Sequence, residues 1–156
     1  MKILISSCVR GHNVRWNGSN RLDLHIEEWA ESNGLELVHV CPENELFGTP
    51  RRPIRLYSIE GKVGARMGSE DVYTPLLQKC QEIIDRHSDI VGFIGIANSP
   101  TCGVSAGVKD LGTTIKAPMH AIPGYPTTEI SSMRSEKNRA LFLERIQRYV
   151  RRDNLG

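Results

Sequence analysis

Short apolar runs alternate along the chain with longer stretches whose apolar residues recur every three or four positions. This is the pattern of strands buried on both faces with amphipathic helices between them. Residues 2–7 read as a first strand. Leu22, Ile26, Trp29 and Ala30 form a stripe at helical spacing, with Ser19 or Asn20 placed to cap that helix and Asn33-Gly34 to end it. Residues 35–40 read as a second strand, so the first forty residues make a βαβ unit, expected to be parallel and right-handed. From Pro42 to Met67 the pattern weakens. Residues 47–53 read as an irregular loop, because Pro50 and Pro53 exclude helix and central strand. Residues 55–59 and 62–66, around Glu60-Gly61, read as a short hairpin beside the main sheet. A helix opening at residues 71–74 and running to about His87 puts Val72, Leu76, Leu77, Cys80, Ile83 and Ile84 on one face. Residues 89–96 are the most strand-like run. Further strands are expected at 113–116 and 119–122, and a last helix at 136–153 with Phe142, Ile146, Tyr149 and Val150 facing inward. The sum is an α/β fold in one domain, residues 1–156.

At 156 residues, 39% of them hydrophobic, the chain is long enough for one sizeable core. A formal charge of +2 is too small to argue for nucleic acid by itself, Arg145, Arg148, Arg151 and Arg152 read as the solvated face of the last helix, and no nucleic-acid partner is expected. No apolar run approaches membrane-spanning length, so no membrane association is expected. The N-terminus enters a strand directly rather than a signal segment, which makes a cytoplasmic location the expectation. There the four cysteines are expected to be reduced, metal-binding or catalytic rather than disulfide-bonded. The sequence sets no oligomeric state.

Three of those cysteines sit alike. Cys8 and Cys41 each follow one of the first two expected strands, and Cys102 lies in the turn-rich segment 98–103 after the strand at 89–96. If the three strands are parallel, their carboxyl ends share one edge, where open α/β folds bind ligands. Three thiolates there suit either zinc or an iron–sulfur cluster, and leave a metal position open to substrate. The plain alternative is that each is a buried core thiol, which is how Cys80 reads on its apolar helical stripe. Glu43, two residues after Cys41, is an acid or base beside such a site, or a solvated turn carboxylate. Ser99 donates or relays a proton, or only shapes its turn. Arg10, Arg15, Arg51 and Arg52 lie on loops near the same edge and suit an anion such as phosphate, or a solvated surface. Finally, residues 103–107 match Gly-x-Ser-x-Gly, with Asp110 and His120 downstream in the order of α/β-hydrolases. Ser105, however, comes nine positions after Ile96 and not on a sharp turn straight out of the strand. The alternative is a Gly-rich loop lining the cysteine site.

The segments Ser6-Ser7-Cys8-Val9-Arg10-Gly11, Val14-Arg15-Trp16-Asn17-Gly18, Val40-Cys41-Pro42-Glu43, Gly48-Thr49-Pro50-Arg51 and Ser99-Pro100-Thr101-Cys102-Gly103 together resemble, in order, the motifs of the thiouracil desulfidase family. The resemblance spans about residues 2–108; the C-terminal third matches poorly. It implies a compact Rossmann-like domain, a mainly parallel sheet flanked by helices. It implies a [4Fe-4S] cluster held by Cys8, Cys41 and Cys102, with one iron free to take the sulfur of a thiolated pyrimidine while water replaces it at the ring carbon. The partner would be that small molecule, a base, nucleoside or nucleotide. Glu43 and Ser99 match positions with acid/base roles in the family, and Arg15, Asn17 and Arg51 are the expected substrate-binding residues. Asn17 stands where the family usually has Asp, and Thr101 where it usually has Ser. Both departures leave the iron ligands intact and the substrate open, with the basic loops favouring one that bears phosphate. The rival readings are a zinc-dependent hydrolase on the same three cysteines, a cluster-bearing sensor without turnover, and a serine hydrolase acting through Ser105.

Overall fold

Ile3, Leu4 and Ile5 are fully buried at consecutive positions of the first strand, so both faces of that strand are covered. The computed structural model describes residues 1–155. Its first half runs β1 (Lys2–Ser6), α1 (Leu24–Ser32), β2 (Glu36–Val40), α2 (Pro42–Phe47), β3 (Ile54–Ile59), β4 (Lys62–Met67) and β5 (Glu70–Asp71). The second half runs α3 (Tyr73–Arg86), β6 (Ile90–Gly95), β7 (Ala106–Val108), β8 (Thr113–Ile115), α4 (Pro118–Ala121), β9 (Thr127–Glu129) and α5 (Glu136–Leu155).

β1 lies between β2 and β6 in a four-stranded, all-parallel sheet of order β2-β1-β6-β9. Ile3 and Ile5 point to one face, where Ile26 and Ala30 of α1 and Phe142 and Ile146 of α5 cover them. Leu4 and Phe93 point to the other, against Cys80 and Ile83 of α3 and Met119 of α4. Each such aliphatic side chain contributes about 2 kcal/mol by leaving water. The result is the expected α/β domain, a mainly parallel sheet with helices on both faces. A second, five-stranded sheet of order β5-β4-β3-β7-β8 packs its own core of Leu56, Ala65, Val72, Leu76, Ala106 and Val108. The expected hairpin is its centre, with Leu56 opposite Ala65, and it grows by a parallel pairing of β3 with β7. Among the described residues no helix is long and apolar enough to cross a membrane.

Several elements differ from the sequence expectation. The cap of α1 is Asp23, whose carboxylate accepts the N–H groups of His25 and Ile26; Leu22 precedes the helix and is 53% exposed. Ser19 and Asn20 instead close local turns with Asn17, Leu22 and Asn13. Residues 42–47, read as unpatterned, are helical because Pro42 occupies the first turn and the Cys41 thiol accepts the Asn44 N–H. Residues 119–122 form no strand. Pro118 starts the short helix α4 instead, and Met119 and His120 are both buried there. The strands β7 and β9 were not expected, being three residues each and next to glycine or proline.

The end of β6 is pinned against the turn that carries Cys102. A Cβ on Gly95 would stand 1.8 Å from the Cys102 carbonyl oxygen and 2.7 Å from His120 Nε2. The Cys102 carbonyl is backbone and the His120 ring is buried against it, so Gly95→Ala is expected to destabilise the fold by about 3 kcal/mol or more in urea unfolding. A loss under about 0.5 kcal/mol would show that the Cys102 turn is not packed on β6.

Candidate active site

Parallel pairing brings the carboxyl ends of β1, β2 and β6 to one edge. Ser6 stands beside Val40, and Ile5 beside Ile94. Cys8 follows in a single 3₁₀ turn, residues Ser7–Arg10, and is buried. Cys41 follows β2 directly and is half-buried. Cys102 returns to the same edge through the turn after β6: Ser99 Oγ accepts its N–H at 3.0 Å, and its carbonyl accepts from Ile96 N at 3.2 Å and contacts His120 Nε2 at 2.6 Å. All three cysteines, none in a disulfide, line one cavity of about 510 Å³ together with Glu43, Ser99, Arg15 and Arg51. Asn17 stands outside that lining. Its Oδ1 is taken by the backbone and hydroxyl of Ser19, so it shapes its own loop.

The cavity is cationic. Arg21 from the first loop and Arg55 and Lys109 from the second sheet join Arg15 on its walls, and Trp16 stands on the same lining, 44% exposed. Among the described residues no carboxylate pairs with Arg15, Arg21, Arg55 or Lys109. Arg51 has another task. Its Nη1 donates to the carbonyls of Val14 at 2.8 Å and Gly48 at 3.0 Å and to Thr49 Oγ1 at 3.2 Å, tying the Trp16 loop to the loop after α2. Arg21, Arg55 and Lys109 went unnoticed in the sequence, the last two because the β3–β7 pairing that delivers them carries no pattern of its own. Arg10, on the same loops, pairs with Glu27 and the Leu37 carbonyl away from the cavity.

Burial sets the protonation of the site. It raises the Cys8 thiol to about 11, with help from the neighbouring Cys41, while Arg15 opposes it. Burial likewise raises Cys41 and Cys102. Glu43 is raised by burial too, against the pull of Arg51 and of the Thr101 hydroxyl, which donates to Oε2 at 2.9 Å. A carboxylate so placed is a better base than one in water. The hydrolase arrangement is not assembled. Ser105 is exposed and outside the cavity lining, Asp110 accepts the Ser58 N–H at 2.8 Å, and His120 is buried against the Cys102 carbonyl.

The 2-thiouracil desulfurase family model matches residues 3–134 of this chain. The chain belongs to that family. A solved structure of the [4Fe-4S]-dependent thiouracil desulfidase TudS superimposes with a TM-score of 0.72, covering 92% of this chain and 97% of that one, at 20% identity. The likeness is one of fold. Alpha-amylase-related proteins of Drosophila bakoue and Drosophila auraria are 26% and 25% identical over 132 and 130 residues, 75% and 74% of this chain. The chain spans about a quarter of the length of these curated relatives, 26% in each case.

For a desulfurase of this family, the donor set fits an iron–sulfur cluster better than a lone ion. Zinc would draw its thiolates to about 2.3 Å, hence about 3.8 Å from one another. Among the described residues no three His, Cys, Asp or Glu side chains are gathered to hold a single metal ion. Three cysteines lining one cavity suit a thiophilic group such as an iron–sulfur cluster.

With its thiol at about 11, Cys8 in the metal-free chain carries roughly a hundredfold less thiolate at pH 8 than an unperturbed cysteine. Its alkylation by iodoacetamide, followed by mass spectrometry, is expected to be slower in proportion; reaction at the rate of free cysteine would contradict the buried placement. The folded chain holds that proton more tightly than the unfolded one. The metal-free fold is therefore expected to keep this contribution below about pH 9 and lose it as pH rises through about 11.

Proposed function

We propose that this chain catalyses iron–sulfur-dependent, non-redox desulfuration of a thiolated pyrimidine, thiouracil or a thiouridine nucleotide. The ring sulfur is exchanged for oxygen from water. One observation carries the reading: Cys8, Cys41, Cys102 and Glu43, far apart in the chain, line a single cavity. Family membership and the likeness to TudS support it. Cys8, Cys41 and Cys102 would hold the [4Fe-4S] cluster, which when bound supplies a Lewis acid for the departing sulfur.

The rest of the chemistry falls to the chain's own side chains. The C=S carbon becomes C=O with no change of oxidation state, and the two protons of water leave with sulfide. Glu43, its basicity raised by burial, takes a proton from the attacking water. Ser99, half-buried on the same wall, delivers a proton to the ring nitrogen or the sulfur. Trp16 offers an aromatic face for a pyrimidine. The unpaired Arg15, Arg21, Arg55 and Lys109 suit the phosphate of a nucleotide. Arg51 keeps the two loops together over the cavity. Buried free thiols and an iron–sulfur cluster belong in a reducing compartment, so we place the reaction in the cytoplasm.

Anaerobically purified protein is expected to be brown, with about four irons per chain, and to release uracil and sulfide from thiouracil, with label from H₂¹⁸O in the product. Cys102→Ala should lose the colour, and Glu43→Gln should keep it while turnover falls about 10²-fold to 10⁴-fold. Ser105→Ala should change neither. A colourless protein that iron and sulfide cannot reconstitute would end the desulfuration reading. For the substrate, Lys109→Ala and Arg55→Ala are each expected to raise KM for a thiouridine monophosphate by about tenfold and leave KM for thiouracil unchanged. Equal effects on both would remove the phosphate from the picture.

A further inference from the structure

Glu43 and Ser99 both face the cavity, but they arrive from different elements, α2 and the turn after β6. Between them stands Thr101, which is fully buried and absent from the cavity lining. Its hydroxyl donates to Glu43 Oε2 at 2.9 Å and lies 3.2 Å from Ser99 Oγ. The direction of the second bond follows from counting. Thr101 has one hydroxyl proton, and Glu43 receives it. Ser99 Oγ already accepts the N–H groups of Thr101 at 3.3 Å and Cys102 at 3.0 Å, which occupies its two lone pairs. Its own O–H is therefore the donor, and Thr101 Oγ1 the acceptor. The chain of hydrogen bonds at rest runs one way, from Ser99 through Thr101 to Glu43.

We infer that Thr101 is a positioning residue for the desulfuration, a buried link that holds Glu43 and joins it to Ser99 so that a proton taken from water at one can leave from the other. The inference rests on the proposed function. When Glu43 takes the water proton, the chain reverses. The Glu43 carboxyl gives its proton to Thr101 Oγ1, and Thr101 gives its own to Ser99 Oγ as the Ser99 hydroxyl proton leaves for the substrate nitrogen or sulfur, the departing proton freeing the lone pair that receives the new one. Each hydroxyl loses one proton and gains one, the carboxylate ends as it began, and the net movement is one proton from water to substrate. No other co-reactant is needed. The Thr101 backbone is held as firmly as its hydroxyl: its carbonyl accepts the Met119 N–H of α4 at 3.0 Å. Branching at Cβ then leaves the hydroxyl few alternatives to its direction.

The test uses the full-length, cluster-loaded protein. Thr101→Val keeps the shape and removes the hydroxyl; Thr101→Ser keeps the hydroxyl. Thr101→Val is expected to retain its iron and sulfide and its KM within about twofold, to lose about 10²-fold in kcat, and to be restored by Thr101→Ser to within about fivefold of the parent. A second reading does not depend on turnover. The carboxylate infrared band of Glu43, isolated as the difference from Glu43→Gln, should shift in Thr101→Val and return in Thr101→Ser. If Thr101→Val does not fold, a proton inventory on single turnovers of the unaltered enzyme decides, and a curved dependence on the D₂O fraction is expected. Unchanged kcat per cluster with an unmoved band, or a linear inventory, would overturn the relay. Loss of iron with full activity per remaining cluster would make Thr101 structural only. Should the unaltered chain bind iron yet release no sulfide, the proposed function fails by itself, and the infrared band still decides whether Thr101 holds Glu43.

Discussion

Backbone pairing of β1 with β2 on one side and β6 on the other is the constraint from which the site follows. In a parallel sheet every strand ends at the same edge, so whatever comes next along the chain starts from one line in space. Ser6 beside Val40 and Ile5 beside Ile94 set that line. Cys8 lies two residues past it and Cys41 one, which leaves the chain almost no freedom to separate them. Cys102 is tied back by a different device. The Ser99 hydroxyl, the Ile96 N–H, the ring of His120 and the missing side chain of Gly95 together seat its turn on the end of β6. Remove the sheet register and no later contact could reassemble the three thiols.

The same burial that makes this edge a core makes it chemically demanding. Taken alone, the thiols hold their protons far more tightly than in water, Cys8 to about 11. Thiols hold a metal centre as thiolates, so on the proposed function the assembly of a centre on Cys8, Cys41 and Cys102 and their deprotonation would be one event. Glu43 is pushed the same way, and Arg51 and Thr101 restrain it. The second sheet supplies the balance. Arg55 and Lys109, brought over by the β3–β7 pairing, give one side of the cavity a positive lining without carboxylates to neutralise it. Two sheets thus divide the cavity wall: one carries the cysteines, and the other, with the loop at residues 14–21, carries positive charge.

Much of this was legible before the structure. The apolar runs at residues 2–7, 35–40 and 89–96 announce strands buried on both faces, and a cysteine just past each is visible at once. The helices read from a periodic stripe, α3 and α5, lie where that stripe puts them. Elements stabilised by something other than periodicity were not legible. α2 depends on a thiol acting as a cap and α4 on a proline start, while β7 is a strand only because β3 lies beside it. Asn17 sits in a motif that implies a substrate contact, and what nothing in that motif reveals is that its Oδ1 accepts from Ser19 two residues away, outside the cavity lining. Thr101 stood out only as a departure from the family's usual Ser, because nothing local reveals that its hydroxyl reaches a carboxylate 58 positions earlier.

What the sequence determined by itself, then, is the set of parts and the edge on which they meet. Hydrophobic patterning is a local signal with a period, and a parallel sheet turns it into position without further information. What only the tertiary structure decided is which polar groups face one another across that edge: Glu43 with Thr101, Arg51 with two loops, Lys109 with a cavity begun by another sheet. Hydrogen bonds and charges act over a few ångströms between residues far apart in the chain, and the sequence carries no period from which such a pairing can be read.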